Sequence, residues 1–153
     1  MEIIHWLGTG LSAIPGLKKL IENGHSVIVY NRTVDKAIEA LSGVDGDYQV
    51  VPFSIEAVKK YASAGDVVVS MLPGNFHVPV AELCISLEAH FVSSSYISDE
   101  MRDLNSAAIK KGLCLVNEVG LDPGIDHSMS HALVEEYRNS SVFSKENSPV
   151  SYK

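Results

Sequence analysis

Apolar positions along this chain fall into short runs that alternate with stretches of helical period. Residues 3–7, Ile3-Ile4-His5-Trp6-Leu7, form a run suited to a buried strand. Ile14, Leu17, Leu20 and Ile21 then recur at helical spacing until Gly24 stops the helix, and Val27-Ile28-Val29-Tyr30 predicts a second strand. The same alternation continues. Residues 48–51 read as a strand, 55–62 as a helix and 66–71 as a strand. A helix through Val80, Leu83, Cys84 and Leu87 follows, then a strand at 90–94, a helix at 100–111 and a strand at 113–116. A last helix starts near Asp126 and is expected to bury Met129, Ala132, Leu133 and Tyr137. Strands that alternate with helices predict a parallel sheet covered on both faces.

The junction between the first strand and the first helix carries the earliest chemistry. Gly8-Thr9-Gly10-Leu11-Ser12-Ala13 is a nucleotide-binding turn of the doubly wound α/β (Rossmann) type, which predicts six strands in the order 3-2-1-4-5-6. Gly8 permits the tight turn, Gly10 admits a pyrophosphate, and Ala13 lets helix and strand pack closely. The end of the second strand reads Asn31-Arg32-Thr33, with no carboxylate for a ribose 2′-hydroxyl. A guanidinium offers forked hydrogen bonds to a 2′-phosphate, so the cofactor expected is NADP rather than NAD. The plainer alternative makes the same three residues a helix-start turn capped by Thr33.

Length and charge narrow the field. A chain of 153 residues supports one sizeable core. A net charge of −7 with no basic run argues against a nucleic-acid partner. No apolar run is long enough for a bilayer, and a chain that enters a strand directly shows no targeting segment, so a cytoplasmic location is expected. Cys84 and Cys114 lack metal-type spacing and sit in apolar stretches, which suggests buried, reduced thiols. Residues 1–138 are expected to form the cofactor domain. The polar, Ser-rich stretch 139–153 reads either as a loose tail or as the start of a truncated substrate domain, with Pro149-Val150-Ser151-Tyr152-Lys153 resembling a strand that is just beginning.

In such a sheet, ligands bind outside the carboxyl ends of the strands. That rule selects the loops at 8–12, 31–33, 71–77, 94–98 and 117–127. The last, Asn117-Glu118-Val119-Gly120-Leu121-Asp122-Pro123-Gly124-Ile125-Asp126-His127, is the most unusual segment of the chain. Pro123-Gly124 suits a tight turn, and Asp126 suits a helix N-cap. Asp122 has no such local use, which makes it the candidate for a substrate amine.

These pieces, taken with Ser95-Tyr96 after the fifth strand and Leu72-Pro73 with His77 after the fourth, resemble the saccharopine dehydrogenase family in its NADP-dependent, glutamate-forming branch. The glycine turn is generic, whereas Gly-Leu-Asp-Pro-Gly-Ile-Asp-His is specific. The resemblance implies reduction by NADPH of the imine between 2-aminoadipate 6-semialdehyde and glutamate, or the reverse, in lysine metabolism. It implies cofactor contacts at Leu11, Ser12, Arg32, Thr33 and the turn Leu121, Asp122, Pro123 and Gly124, and contacts to an amino-acid substrate at Ser95, Tyr96 and Asp122. It also implies a second domain that this chain does not supply, so that the piece alone binds NADP and turns over little. The missing domain would leave apolar surface, to which the expectation of a homodimer is attached.

Other constellations carry less. His127 and His131 have the spacing of a two-ligand metal face without a third ligand, and no metal is expected. Ser94, Asp126 and His127 lack a nucleophile elbow. No general acid or base is assigned; Tyr96 and His127 qualify by residue type only. Two rival readings stay open. One is the N-terminal domain of a 6-phosphogluconate or β-hydroxyacid dehydrogenase, and the other is a non-catalytic NADP-binding module.

Overall fold

The computed structural model of the chain describes residues 2–143. A single parallel sheet runs β3-β2-β1-β4-β5-β6. Its strands are β1 Ile4–Leu7, β2 Val27–Asn31, β3 Tyr48–Pro52, β4 Val67–Ser70, β5 His90–Ser93 and β6 Leu115–Val116. The helices are α1 Ile14–Glu22, α2 Val34–Ala40, α3 Ile55–Tyr61, α4 His77–Leu87, α5 Asp99–Asp103, α6 Asn105–Lys110 and α7 Asp126–Asn139. The order reverses between β1 and β4, which places the switch point at the carboxyl ends of those two strands. Ile4 stands opposite Val27 on one side and Val67 on the other, and Leu7 opposite Tyr30 and Ser70, so the strand ends are level there.

Successive residues of a strand point to opposite faces, and the chain uses this to build two cores. Trp6 and Val29 pack with Leu17, Ile21 and Leu41 of the α1–α2 side. Their neighbours Leu7 and Tyr30 pack instead with Val58, Val68, Val80, Cys84 and Phe91 of the α3–α4 side. Each fully buried Leu, Val or Phe contributes about 1.5–3 kcal/mol. Helices α3 and α5 start where a serine is available: Ser54 Oγ accepts the Ala57 N–H at 3.0 Å, and Ser98 Oγ accepts that of Met101 at 3.2 Å.

A buried polar network lies at the opposite end of β1 from the switch point. Asp66 accepts the backbone N–H groups of Ile3 at 2.9 Å and Ser63 at 2.8 Å. His5 Nε2 donates to the same carboxylate at 3.1 Å, and its Nδ1 accepts from the Tyr30 hydroxyl at 2.8 Å. Burial pulls His5 below its ordinary value and outweighs Asp66, so the ring is neutral. Burial works to raise Asp66, but the two N–H groups and the ring prevail and hold it below the usual carboxylate range.

Four expectations are corrected. α7 is present at Asp126–Asn139, yet none of its residues is buried: Met129 and Leu133 are 58% and 62% exposed, Ala132 is exposed and Tyr137 half-buried. The helical period marks a face suited to cover; Phe143 meets Tyr137 edge to face at 5.5 Å, while Met129 and Leu133 stay open. Cys84 is buried but Cys114 is exposed, because the chain reaches the edge strand β6 there. The expected helix at 100–111 is broken at Leu104 into α5 and α6. Asp126 is the first helical residue rather than the N-cap, and its carboxylate accepts the Gly124 N–H at 2.9 Å. The strand suggested at 149–153 lies outside the described residues. Among the described residues no helix is long and apolar enough to cross a membrane.

Candidate functional site

A cavity of about 410 Å³ opens at the switch point, within the range typical of ligand pockets. Three loops line it: Gly8, Thr9 and Gly10 after β1; Asn31, Arg32 and Thr33 with Lys36 after β2; and Met71, Leu72, Pro73 and Phe76 after β4. Phe53, just past β3, completes the rim and meets Phe76 edge to face at 5.8 Å.

The glycine turn is built for close approach. Gly8 has φ +95°, a value that side-chain-bearing residues rarely adopt, and a Cβ there would lie 3.0 Å from the Met71 carbonyl oxygen. Its N–H donates to the Tyr30 carbonyl at 2.8 Å, which ties the turn to β2. At Gly10 a Cβ would meet nothing within 4 Å, so the space above it is open. A diphosphate suits this opening, and the glycine turn fits the dinucleotide that the sequence suggests.

The end of β2 is electropositive. Arg32 and Lys36 are exposed, neither forms an ion pair among the described residues, and no carboxylate lines the cavity. Asn31 Nδ2 donates to the Thr33 carbonyl at 2.8 Å and holds the turn. Thr33 occupies the N-cap position of α2, yet its side chain makes no capping bond, so the plainer reading of that residue lacks its bond. Two cations beside uncharged hydroxyl and amide groups suit a phosphate dianion.

A second cluster gathers at the ends of β5 and β6. The Tyr96 hydroxyl donates to Asp122 Oδ1 at 2.5 Å, and that hydrogen bond raises the Tyr96 phenol above its usual range. Ser93 Oγ donates to Asn117 Oδ1 at 2.9 Å, while Glu118 accepts the Ile97 N–H at 3.1 Å and binds the two loops together. Ser95 Oγ lies 2.8 Å from Nε2 of the buried His77, whose Nδ1 lies 3.0 Å from Ser70 Oγ. Ser94 Oγ reaches the Met71 sulfur at 3.9 Å, so this cluster adjoins the cavity wall.

The turn Leu121–Ile125 departs from helical backbone at Asp122, Pro123 and Gly124, and the Asp122–Pro123 peptide is cis. Gly124 has φ +144°, and a Cβ there would lie 3.0 Å from the Glu118 carbonyl oxygen. His127 Nδ1 bonds Asp126 Oδ1 at 3.0 Å on the exposed side of this turn. Among the described residues no group of three or more His, Cys, Asp or Glu side chains is gathered to hold a metal.

Of the residues suggested for the cofactor, Gly8, Gly10, Asn31, Arg32, Thr33, Leu72 and Pro73 are brought together in the cavity. Leu11 and Ser12 are exposed beside it, Ala13 is buried beneath the turn, and Leu121, Asp122, Pro123 and Gly124 are not among the lining residues. Tyr96 and Asp122 meet directly, while Ser95 is engaged by His77. Lys36 and Phe53 line the cavity from outside the loops that the sequence selects, Phe76 lies within the selected 71–77 loop without having been singled out, and the buried His77 link was not foreseen. Lys36 stands in the first turn of α2, close after Arg32 in sequence, which was the available signal.

A family model described as "Saccharopine dehydrogenase NADP binding domain" matches residues 4–116. The chain is 38% identical over 113 residues to an α-aminoadipic semialdehyde synthase of Arabidopsis thaliana, covering 72% of this chain and 10% of that protein. It is 35% identical over 135 residues to a saccharopine dehydrogenase [NADP(+), L-glutamate-forming] of Pyricularia oryzae, covering 85% of this chain and 29% of that one. Among solved structures, the apo saccharopine dehydrogenase (L-Glu forming) of Saccharomyces cerevisiae superposes with a TM-score of 0.73 at 30% identity, covering 90% of this chain and 32% of that chain. The chain therefore spans about a tenth to a third of the length of these relatives.

Proposed function

We propose, for a chain that belongs to the saccharopine dehydrogenase NADP-binding domain family, that it binds NADP(H) in the cavity at the switch point and serves an oxidoreductase acting on an amino-acid imine or secondary amine. The observation that carries this reading is the pairing of Arg32 and Lys36 with the glycine turn in one cavity that holds no carboxylate. The turn at Gly8–Gly10, with Leu11 and Ser12 beside it, takes the diphosphate. Arg32, Thr33 and Asn31 take the 2′-phosphate, and Lys36 adds a second cation. Phe53 and Phe76 form an apolar lip suited to the adenine ring, and Leu72 and Pro73 flank the path toward the β5 loop.

When bound, the cofactor supplies the hydride; the protein binds and orients. Ser95, Tyr96 and Asp122 lie beyond the β4 loop and suit the amino-acid end of the substrate, with Asp122 available to an ammonium group. The chain's similarity to a saccharopine dehydrogenase and an α-aminoadipic semialdehyde synthase supports saccharopine as the substrate class. Residues 1–138 form the cofactor unit in this reading, and the remainder leads toward a substrate domain. Self-association through the exposed row of α7, giving a homodimer, belongs to the same reading.

Equilibrium titration with NADPH and NADH tests the cofactor assignment. The phosphorylated form is expected to bind at least about tenfold more tightly, since charge-assisted hydrogen bonds contribute about 1.5–3 kcal/mol. Equal affinity for the two overturns it.

A further inference from the structure

Ser70, fully buried at the carboxyl end of β4, meets His77 on the first turn of α4, and the ring passes on to Ser95 at the end of β5. His77 is 4% exposed and lies against the edge of Phe91. A neutral imidazole has one donor and one acceptor nitrogen, so each serine must take a complementary part. Burial pushes His77 below its ordinary value, which keeps the ring neutral.

The proton inventory then has one satisfactory solution. Among the described residues, the ring is the only hydrogen-bond partner of Ser70 Oγ, and no buried side-chain polar atom there lacks a partner. A hydroxyl proton in a fully buried site needs an acceptor, and His77 Nδ1 is the one within reach. Nε2 therefore carries the ring proton and donates to Ser95 Oγ across 2.8 Å. The opposite tautomer would leave the Ser70 proton with no acceptor. With one of its two lone pairs engaged by the ring, half-buried Ser95 keeps its own hydroxyl proton free to give away.

We infer that His77 is a positioning residue that frees the Ser95 hydroxyl proton, so that Ser95 donates it to a carboxylate of the amino-acid ligand. The inference rests on Ser95 as a substrate contact, as proposed above. It divides the labour of the cluster: Ser95 donates to a carboxylate, and Asp122, acceptor-only when ionised, takes the ammonium.

Long-range ¹H–¹⁵N correlation of the chain labelled at histidine, at neutral pH, reads the tautomer without any variant. His77 is expected to show a bare Nδ1 and a protonated Nε2, and Ser95→Ala is expected to leave that pattern in place because Ser70 sets it. A protonated Nδ1 with a bare Nε2, an imidazolium, or a tautomer that changes on Ser95→Ala overturns the inference. Cofactor titration on the same sample separates the two claims. Loss of NADPH binding with the Nε2–H ring intact counts against the proposed function alone, whereas NADPH binding with the reversed ring counts against His77 alone.

Discussion

Trp6 Nε1 donates to the carbonyl oxygen of Gly8 at 2.9 Å, so a core side chain of β1 holds the glycine turn from beneath. It is the chain's single tryptophan, so its emission comes from one site bonded to that turn. NADPH binding is expected to change Trp6 fluorescence. Trp6→Phe keeps an aromatic ring in the core but deletes the bond, and should weaken NADPH about threefold to tenfold, the effect of one hydrogen bond. Unchanged affinity would mean that the turn needs no such support.

Gly8 and Gly10 are expected to part company on substitution. Gly8→Ala meets both an unfavourable φ and the Met71 carbonyl, so the melting temperature and the cofactor affinity should fall together. Gly10→Ala has open space and ordinary backbone, so it should keep its melting temperature while binding NADPH at least about tenfold more weakly. Calorimetry and titration on the two variants check the contrast.

Charge at the end of β2 predicts cofactor choice. Arg32→Ala should cost NADPH about tenfold or more while leaving NADH within about twofold, because only the 2′-phosphate is lost as a partner. Lys36→Ala should act in the same direction with a smaller effect, since an ammonium offers a point charge where guanidinium offers a fork. A variant that weakens both cofactors equally would place these side chains elsewhere than at the phosphate.

Acid should destabilise the fold in two stages. His5 and His77 both lie below their ordinary value of 6.5 in the folded chain, so the unfolded chain takes up protons that the folded chain refuses as the pH falls through that value. Their contribution is complete at higher pH and declines below about 6.5. Asp66, held below its usual 3.8, adds a contribution that is present above that value and is lost as the pH falls further. Thermal unfolding between pH 7.5 and pH 5, on the order of one unit either side of the imidazole range, should show a falling melting temperature. His77→Gln, which cannot titrate, should flatten the slope.

Much of the fold was readable because parallel strands buried on both faces leave near-continuous apolar runs such as Val67-Val68-Val69, and glycines mark the turns between them. The strand order followed from the glycine turn, and the structure has it. The errors share a cause. Met129 and Leu133 have the helical period of a core face, but period reports only which residues share a side, not whether anything packs on it. Cys114 looked buried because its neighbours are apolar, whereas the edge position of β6 is a property of topology.

At the candidate site, residues adjacent in sequence were legible: the glycine turn and Asn31-Arg32-Thr33 are local signals. Lys36 reaches the cavity from α2, Phe53 from just past β3 and Phe76 from the turn after β4, three segments that only the folded sheet brings together. The His77 link joins three separate segments through side chains, and no spacing rule announces it.

A crystal of the chain grown or soaked with NADP(H) would show where the dinucleotide lies. The diphosphate is expected across Gly8 and Gly10, and the 2′-phosphate within hydrogen-bond reach of Arg32 with Lys36 beside it. A dinucleotide lodged away from the β1–β2–β4 loops, or one whose 2′-phosphate contacts neither cation, would contradict that placement.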